Sequence, residues 1–147
     1  MWDDEYERII REKGEQAIGS KWLHKKSHFQ YRTADNIISG FITILSFSVA
    51  FFEKESIFVD LVKYIAFAVG LLATFQKLIN LSGTGIQHKL AKNNYEDIVN
   101  RISMELAKPR SERSDVETFL NEIMTEINMT NKNAPHVYSW VIRKFYK

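Results

Sequence analysis

The spacing of apolar residues along this chain changes three times. From Trp2 to Ala17 it is helical: Trp2, Tyr6, Ile9, Ile10, Lys13 and Ala17 share one face, with acids and arginines opposite. Gly14 and Gly19-Ser20 weaken that helix, and Ser20 is placed to cap a second one starting at Lys21. From Asn36 to Phe52 the period vanishes, leaving 17 positions, NIISGFITILSFSVAFF, without a charge. A polar turn, Glu53-Lys54-Glu55-Ser56, leads to a second apolar run from Ile57 to Gln76, broken by Asp60 and Lys63. Leu81-Ser82-Gly83-Thr84-Gly85 has little helix propensity and predicts a kink or break. The helical period then returns through Ile86, Leu90, Ala91, Tyr95, Ile98, Ile102 and Leu106, and stops at Lys108-Pro109. Ser114-x-x-Glu117 reads as a capping box for a helix whose face is Val116, Phe119, Leu120, Ile123, Met124 and Ile127. Ala134-Pro135 breaks the chain before a last segment that groups Val137, Trp140, Val141 and Phe145.

Nothing reads as a strand. The pattern predicts an all-α fold: a two-helix transmembrane hairpin with N- and C-terminal amphipathic helices forming a cytosolic helical layer. We expect one domain over 1–147, with amphipathic helices over 1–35, the hairpin over 36–79 and a helical region over 80–147.

A membrane-crossing helix needs about 20 mainly apolar residues, and roughly 17 is the lower bound. The first apolar run meets that bound. The second meets it if Asp60 and Lys63 sit at an interface, paired at i, i+3. The competing account is a buried helical hairpin in a soluble bundle. Against it, neither run has the polar stripe a water-facing helix needs. Both also carry small residues at helical spacing: Ser39, Thr43, Ser46 and Ala50 on the first, Ala66, Gly70 and Thr74 on the second. Small faces let helices approach closely where no hydrophobic effect drives them together. Asp60 and Lys63 admit two roles, a polar path through an oligomer or an interfacial pair one turn from the loop.

Charge orients the hairpin. The turn region from Glu53 to Lys63 is net negative, whereas Lys21, Lys25, Lys26 and Arg32 precede the first run and Lys77, Lys89 and Lys92 follow the second. The positive-inside rule then puts both termini on the cytoplasmic side, or its virion-interior equivalent. The acidic start, MWDDEYER, has no apolar signal-peptide core, and an N-in hairpin does not require one. Trp22 with Lys25 and Lys26 has the aromatic-and-basic character of a membrane-surface segment, or of an amphipathic helix packed on its neighbours. The same choice applies to the tail with Trp140, Arg143 and Lys144, which contains no acid from Lys132 onward: a surface helix on anionic lipid, or a docking arm.

Over the whole chain, 20 Lys plus Arg against 18 Asp plus Glu leave a net charge of +2, too small to imply a nucleic-acid partner. The mean hydropathy of −0.26 suggests a soluble protein only because it averages a lipid-compatible third with amphipathic arms. Zero cysteines exclude disulfides, thiol catalysis and thiolate zinc sites. His24-x-x-x-His28 has a metal-ligand spacing but no third ligand and two flanking lysines, so two solvated histidines are expected. His88, on the flank of the stripe, suits a structural hydrogen bond. Gly83-x-Gly85 lacks the rest of a dinucleotide fingerprint, and no phosphate loop or nucleophile signature occurs. Asn128-Met129-Thr130 fits the glycosylation pattern, which a cytoplasmic location would leave unused. We therefore expect no catalytic residues, cofactor, metal or small-molecule substrate, with a lipid bilayer and a second copy or a protein scaffold as partners.

The order of parts has a further meaning. Tyr31-Arg32-x-Ala34-x-Asn36 leads into the first run, and Gln87-His88-x-x-Ala91-x-x-x-Tyr95-x-x-Ile98 lies on the helix leaving the second. With the short turn between, this resembles the SLATT families of two-transmembrane effector-type domains with a cytosolic helical extension. The resemblance covers Lys21 to Lys108 and the Ala134-Pro135 tail, and is a helix pattern with a few matched positions. It implies an oligomerising membrane protein that breaches the bilayer when a partner sensor signals, as proposed for such domains in bacterial conflict systems. It also implies that His88 and Tyr95 pack the cytosolic helices. Related domains occur in large DNA viruses and fungi, and the residues leave two other roles open. One is a structural anchor tying a viral shell or scaffold to a bilayer. The other is a soluble helical adaptor.

Overall fold

The computed structural model describes residues 2–52 and 59–145, and no strand occurs among them. The helices are α1 (Asp4–Phe52), α2 (Val59–Ile79), α3 (Leu81–Ala107), α4 (Val116–Asn133) and α5 (Ser139–Phe145), with a 3-10 turn at Arg110–Glu112. The expected polar turn at Glu53–Ser56 lies outside the described residues. The chain divides into two compact units, a helical bundle of Met1–His28 with Ile86–Lys147, and a helix pair, Phe29–Gly85.

The bundle is built as a water-soluble domain is built. Ile10 and Ala17 of α1, Ala91, Tyr95, Ile98 and Ile102 of α3, and Val116, Phe119, Ile123 and Ile127 of α4 form one buried core, closed by Trp2. Burying side chains of this size contributes about 1.5–3 kcal/mol each, the main drive for folding here. Ion pairs fasten the rim. Arg101 of α3 reaches Glu122 at 2.8 Å and also Glu126 on α4, and Arg113 reaches Glu7 at 2.6 Å. Arg113 also lies 4.9 Å above the Trp2 ring, whose Nε1 donates to the Ser114 carbonyl at 2.7 Å.

Several expectations need correction. α1 is unbroken from Asp4, so Ser20 caps nothing; its hydroxyl instead pairs with Tyr95. Gly14 and Gly19 are contact points, since a β-carbon would sit 3.5 Å from Ile102 at the first and 3.4 Å from the Phe145 ring at the second. Each glycine lowers helix propensity by about 1 kcal/mol, which close packing offsets. The stripe on α3 is also rotated. Ile86 and Leu90 are exposed, while His88 and Glu105 join Ala91, Tyr95, Ile98 and Ile102 inside. The α4 cap is Asp115, which accepts from the Thr118 amide at 3.1 Å. Ser114 is occupied elsewhere, its amide and hydroxyl both donating to Glu105 at 2.6 Å. Among the described residues of the tail only Val141 is buried, and Trp140 and Phe145 remain about two-fifths exposed.

The helix pair follows different rules. Partly buried positions recur at Ile38, Ile42, Leu45 and Val49 on α1 and at Val62, Ile65 and Val69 on α2, the three-four spacing of a shallow helix crossing. At one end Gln76 Nε2 donates to Asp35 Oδ1 at 2.8 Å and to Ser39 Oγ at 2.7 Å. The helix break falls at Asn80, one residue before the expected stretch, and Gly83-Thr84-Gly85 is helical. Asn80 takes a left-handed conformation (φ 49°) and accepts from the Gly83 amide at 3.2 Å. A β-carbon at Gly83 would meet that carboxamide at 2.5 Å, so glycine there is what seats the break.

Candidate membrane interface and buried histidine pair

Two sites stand out, the outer surface of the helix pair and a polar contact inside the bundle. On the helix pair the large apolar side chains point away from the seam. Phe41, Ile44, Phe47, Phe51, Tyr64, Phe67, Leu71 and Phe75 are all more than half exposed. Two helices are long and apolar enough to cross a membrane, and none of either apolar window is buried. At about 1.5 Å per residue, the 21 residues of α2 extend about 31 Å, matching a hydrocarbon core of about 30 Å.

The polar groups on this surface are satisfied locally. The hydroxyls of Thr43, Ser46, Ser48 and Thr74 each donate to the carbonyl four residues back, at 2.7–3.0 Å. Such back-bonding leaves no donor needing water. Of the small residues singled out in the sequence, Ser39 joins the seam by accepting from Gln76. Thr43, Ser46, Ala50, Ala66, Gly70 and Thr74 are exposed, and a β-carbon on Gly70 would meet nothing within 4 Å. Asp60 and Lys63 pair with each other at 3.1 Å in the first turn of α2, both well exposed.

Inside the bundle, His24 is not the solvated residue expected from its sequence. It is buried on α1 with its Nδ1 2.8 Å from Nδ1 of the buried His88 on α3, and it stacks on Tyr95 at 5.7 Å. Burial disfavours the charged ring, so both histidines bind a proton less readily than usual. His88 is pushed down to about 4, by burial first and then by His24 and His28 nearby. Burial raises the Tyr95 hydroxyl, which donates to Asn131 on α4. Among the described residues no group of three potential metal ligands occurs. Glu105, a buried carboxylate, would be raised by its burial. Lys108 and the two Ser114 donors together outweigh that and hold it at about 2.

The sequence signal for the histidine pair was one of register. His88 lies on the seven-residue spacing with Tyr95 and Ile102, and His24 on that of Ile10 and Ala17. Their meeting, 64 residues apart, has no local signature. The aromatic and basic residues separate by role. Trp22 is half-buried against Phe145, ring centres 5.3 Å apart, so the tail docks on α1. Trp140 stays outward with Lys144 5.8 Å above its ring, and Lys25 and Arg143 are exposed and Lys26 partly so. Asn128 of the glycosylation pattern lies on α4, and its Thr130 is buried. Comparisons with known protein families, curated proteins and solved structures found no match for this chain.

Proposed function

We propose that this chain is a non-enzymatic, oligomeric integral membrane protein that acts as a SLATT-type effector, perturbing or perforating the bilayer. The observation that carries the reading is the apolar surface of α2 and the second half of α1, of which no part of either membrane-length window is covered. A soluble core helix of this composition would be mostly buried. Here the chain closes a complete core in one unit and leaves the larger apolar side chains of the other facing out. Side-chain hydroxyls bonded to their own helix support placement in lipid. The interfacial ion pair Asp60–Lys63 and the basic flanks support both termini on the cytoplasmic side.

Oligomerisation rests on the small residues that the intrachain seam does not use. Ala66, Gly70 and Thr74 form a strip on which another helix could approach closely. Gly70→Leu tests this directly, because a β-carbon added there meets nothing within 4 Å in one chain. The variant should remain membrane-bound and helical but run as a monomer in detergent. It should also cease to release dye from liposomes. Unchanged oligomers would overturn the assembly claim, and intact liposomes around wild-type oligomers would convert the effector into an anchor. Recovery of the wild type in the supernatant after carbonate extraction would remove the membrane reading altogether.

A further inference from the structure

We propose that one end of the bundle is a binding surface for anionic phospholipid headgroups, an inference that rests on the membrane reading above. Three stretches lie side by side there. Lys21 of α1 is 3.1 Å from Glu96 of α3, His24 meets His88, and Phe145 of α5 packs on Gly19 and Trp22. These contacts set residues 19–28, 86–96 and 139–145 at one level. Their charges are Lys21, Lys25 and Lys26, Lys89 and Lys92, Arg143 and Lys144, against the single acid Glu96. Glu96 is already held by Lys21 and Lys92. Among the described residues no ion pair involves Lys25, Lys26, Lys89, Arg143 or Lys144. The nearest following acid, Asp97, lines the groove toward α4 with Arg101 and Glu126.

Within the bundle's part of α1 the acids all lie at the other end, at Asp4, Glu5, Glu7, Glu12 and Glu15, where they outnumber Arg8, Arg11 and Lys13, so this part of the helix is charge-polarised. The basic end is also where the chain passes to and from the helix pair, at His28 and Ile86. Aromatic side chains accompany the cations. Trp140 is exposed beneath Lys144, Tyr138 is more than half exposed, and Val141 anchors α5 so that these groups face outward. Cations with amphipathic rings on a helix fixed from behind suit the headgroup layer of a negatively charged leaflet. A nucleic acid would not call for the aromatic share of this surface.

The test reconstitutes the full chain in vesicles of phosphatidylcholine with about a third phosphatidylserine, a strongly anionic leaflet. Bromines, which quench tryptophan on contact, are placed on the chains of one lipid or the other. We expect brominated phosphatidylserine to quench at least about twofold more than brominated phosphatidylcholine at equal content, since each cation near the surface favours anionic lipid about fivefold. The excess should disappear in about 0.5 M salt, where the screening length is short. It should also disappear in the variant K25Q/K26Q/R143Q/K144Q, which should keep wild-type helicity by circular dichroism. Equal quenching by both lipids in the wild type at low salt overturns the inference. If the variant loses helicity, the salt dependence of the wild type decides instead. Failure of the wild type to float with pure phosphatidylcholine vesicles is a separate result, which defeats the membrane reading on which this one stands.

Discussion

The two units use the same kinds of side chain for opposite purposes. In the bundle, Ile10, Ile98 and Ile123 are at most 2% exposed; in the helix pair, Ile44, Phe47 and Leu78 are 65–78% exposed. Polar groups invert in parallel. The bundle spreads ion pairs over its rim, from Arg110 with Asp4 and Glu7 to Arg101 with Glu122 and Glu126. The helix pair turns its hydroxyls back onto its own carbonyls and puts the Gln76 amide against Asp35 and Ser39. Under the membrane reading proposed above, one sequence satisfies two solvents, and a residue's contribution depends on which of them surrounds it.

That contrast is open to being broken. The largest effect is expected from Ile123→Ala, which empties a fully buried site and should cost the bundle about 2–5 kcal/mol in denaturant or thermal melts. Membrane recovery should be unaffected; joint loss of both would show the units to be less independent than their packing suggests. Phe47→Lys is the converse, raising the insertion cost by about 3 kcal/mol and moving protein from the carbonate-resistant to the extractable fraction. A soluble bundle would tolerate it, since Phe47 is 73% exposed.

Acid separates the units more gently. An unfolded histidine binds its proton near 6.5 and the folded His88 near 4, so between those values the unfolded chain holds more protons. Bundle stability should therefore be complete above about 6.5 and fall as pH drops toward 4, by on the order of 2–3 kcal/mol. Glu105 adds a second loss below 4.5, completed near 2. Unfolding followed against pH in His88→Gln should lessen the first slope, leaving the part that buried His24 contributes, and keep the second. The smallest effect concerns Asp115→Ala, which removes the α4 cap and should lower stability by about 1 kcal/mol, a shift of a few degrees in Tm.

The helical class, the two apolar runs and the stops at Pro109 and Pro135 were legible because each rests on local chemistry: period, length and a missing amide hydrogen. What misled was local propensity set against tertiary contact. Gly14 and Gly19 are expected to weaken the first helix, yet it runs through both, with Ile102 and Phe145 packed within contact distance of where a β-carbon would stand. Ser114 and Asp115 are both competent caps, and the choice fell to Asp115 because Glu105, nine residues upstream of Ser114, engages the serine. Hydrophobicity places Ile86 and Leu90 on the α3 stripe, whereas packing buries His88 and Glu105, polar groups that find partners inside. Pairings 64 and 41 residues apart, His24–His88 and Asp35–Gln76, left no trace in composition.

The contact between His24 and His88 joins like to like, Nδ1 to Nδ1. A hydrogen bond needs a donor and an acceptor, and a neutral imidazole carries one proton on one of its two nitrogens. The two rings must therefore be opposite tautomers, one protonated at Nδ1 and its neighbour at Nε2. Two chemically identical residues become inequivalent by necessity, and exchanging their roles requires both to surrender and regain a proton inside a closed core. In nitrogen NMR the pair should give four distinct ring signals, with one proton bridging α1 and α3 and exchanging with water far more slowly than that of an exposed histidine such as His136.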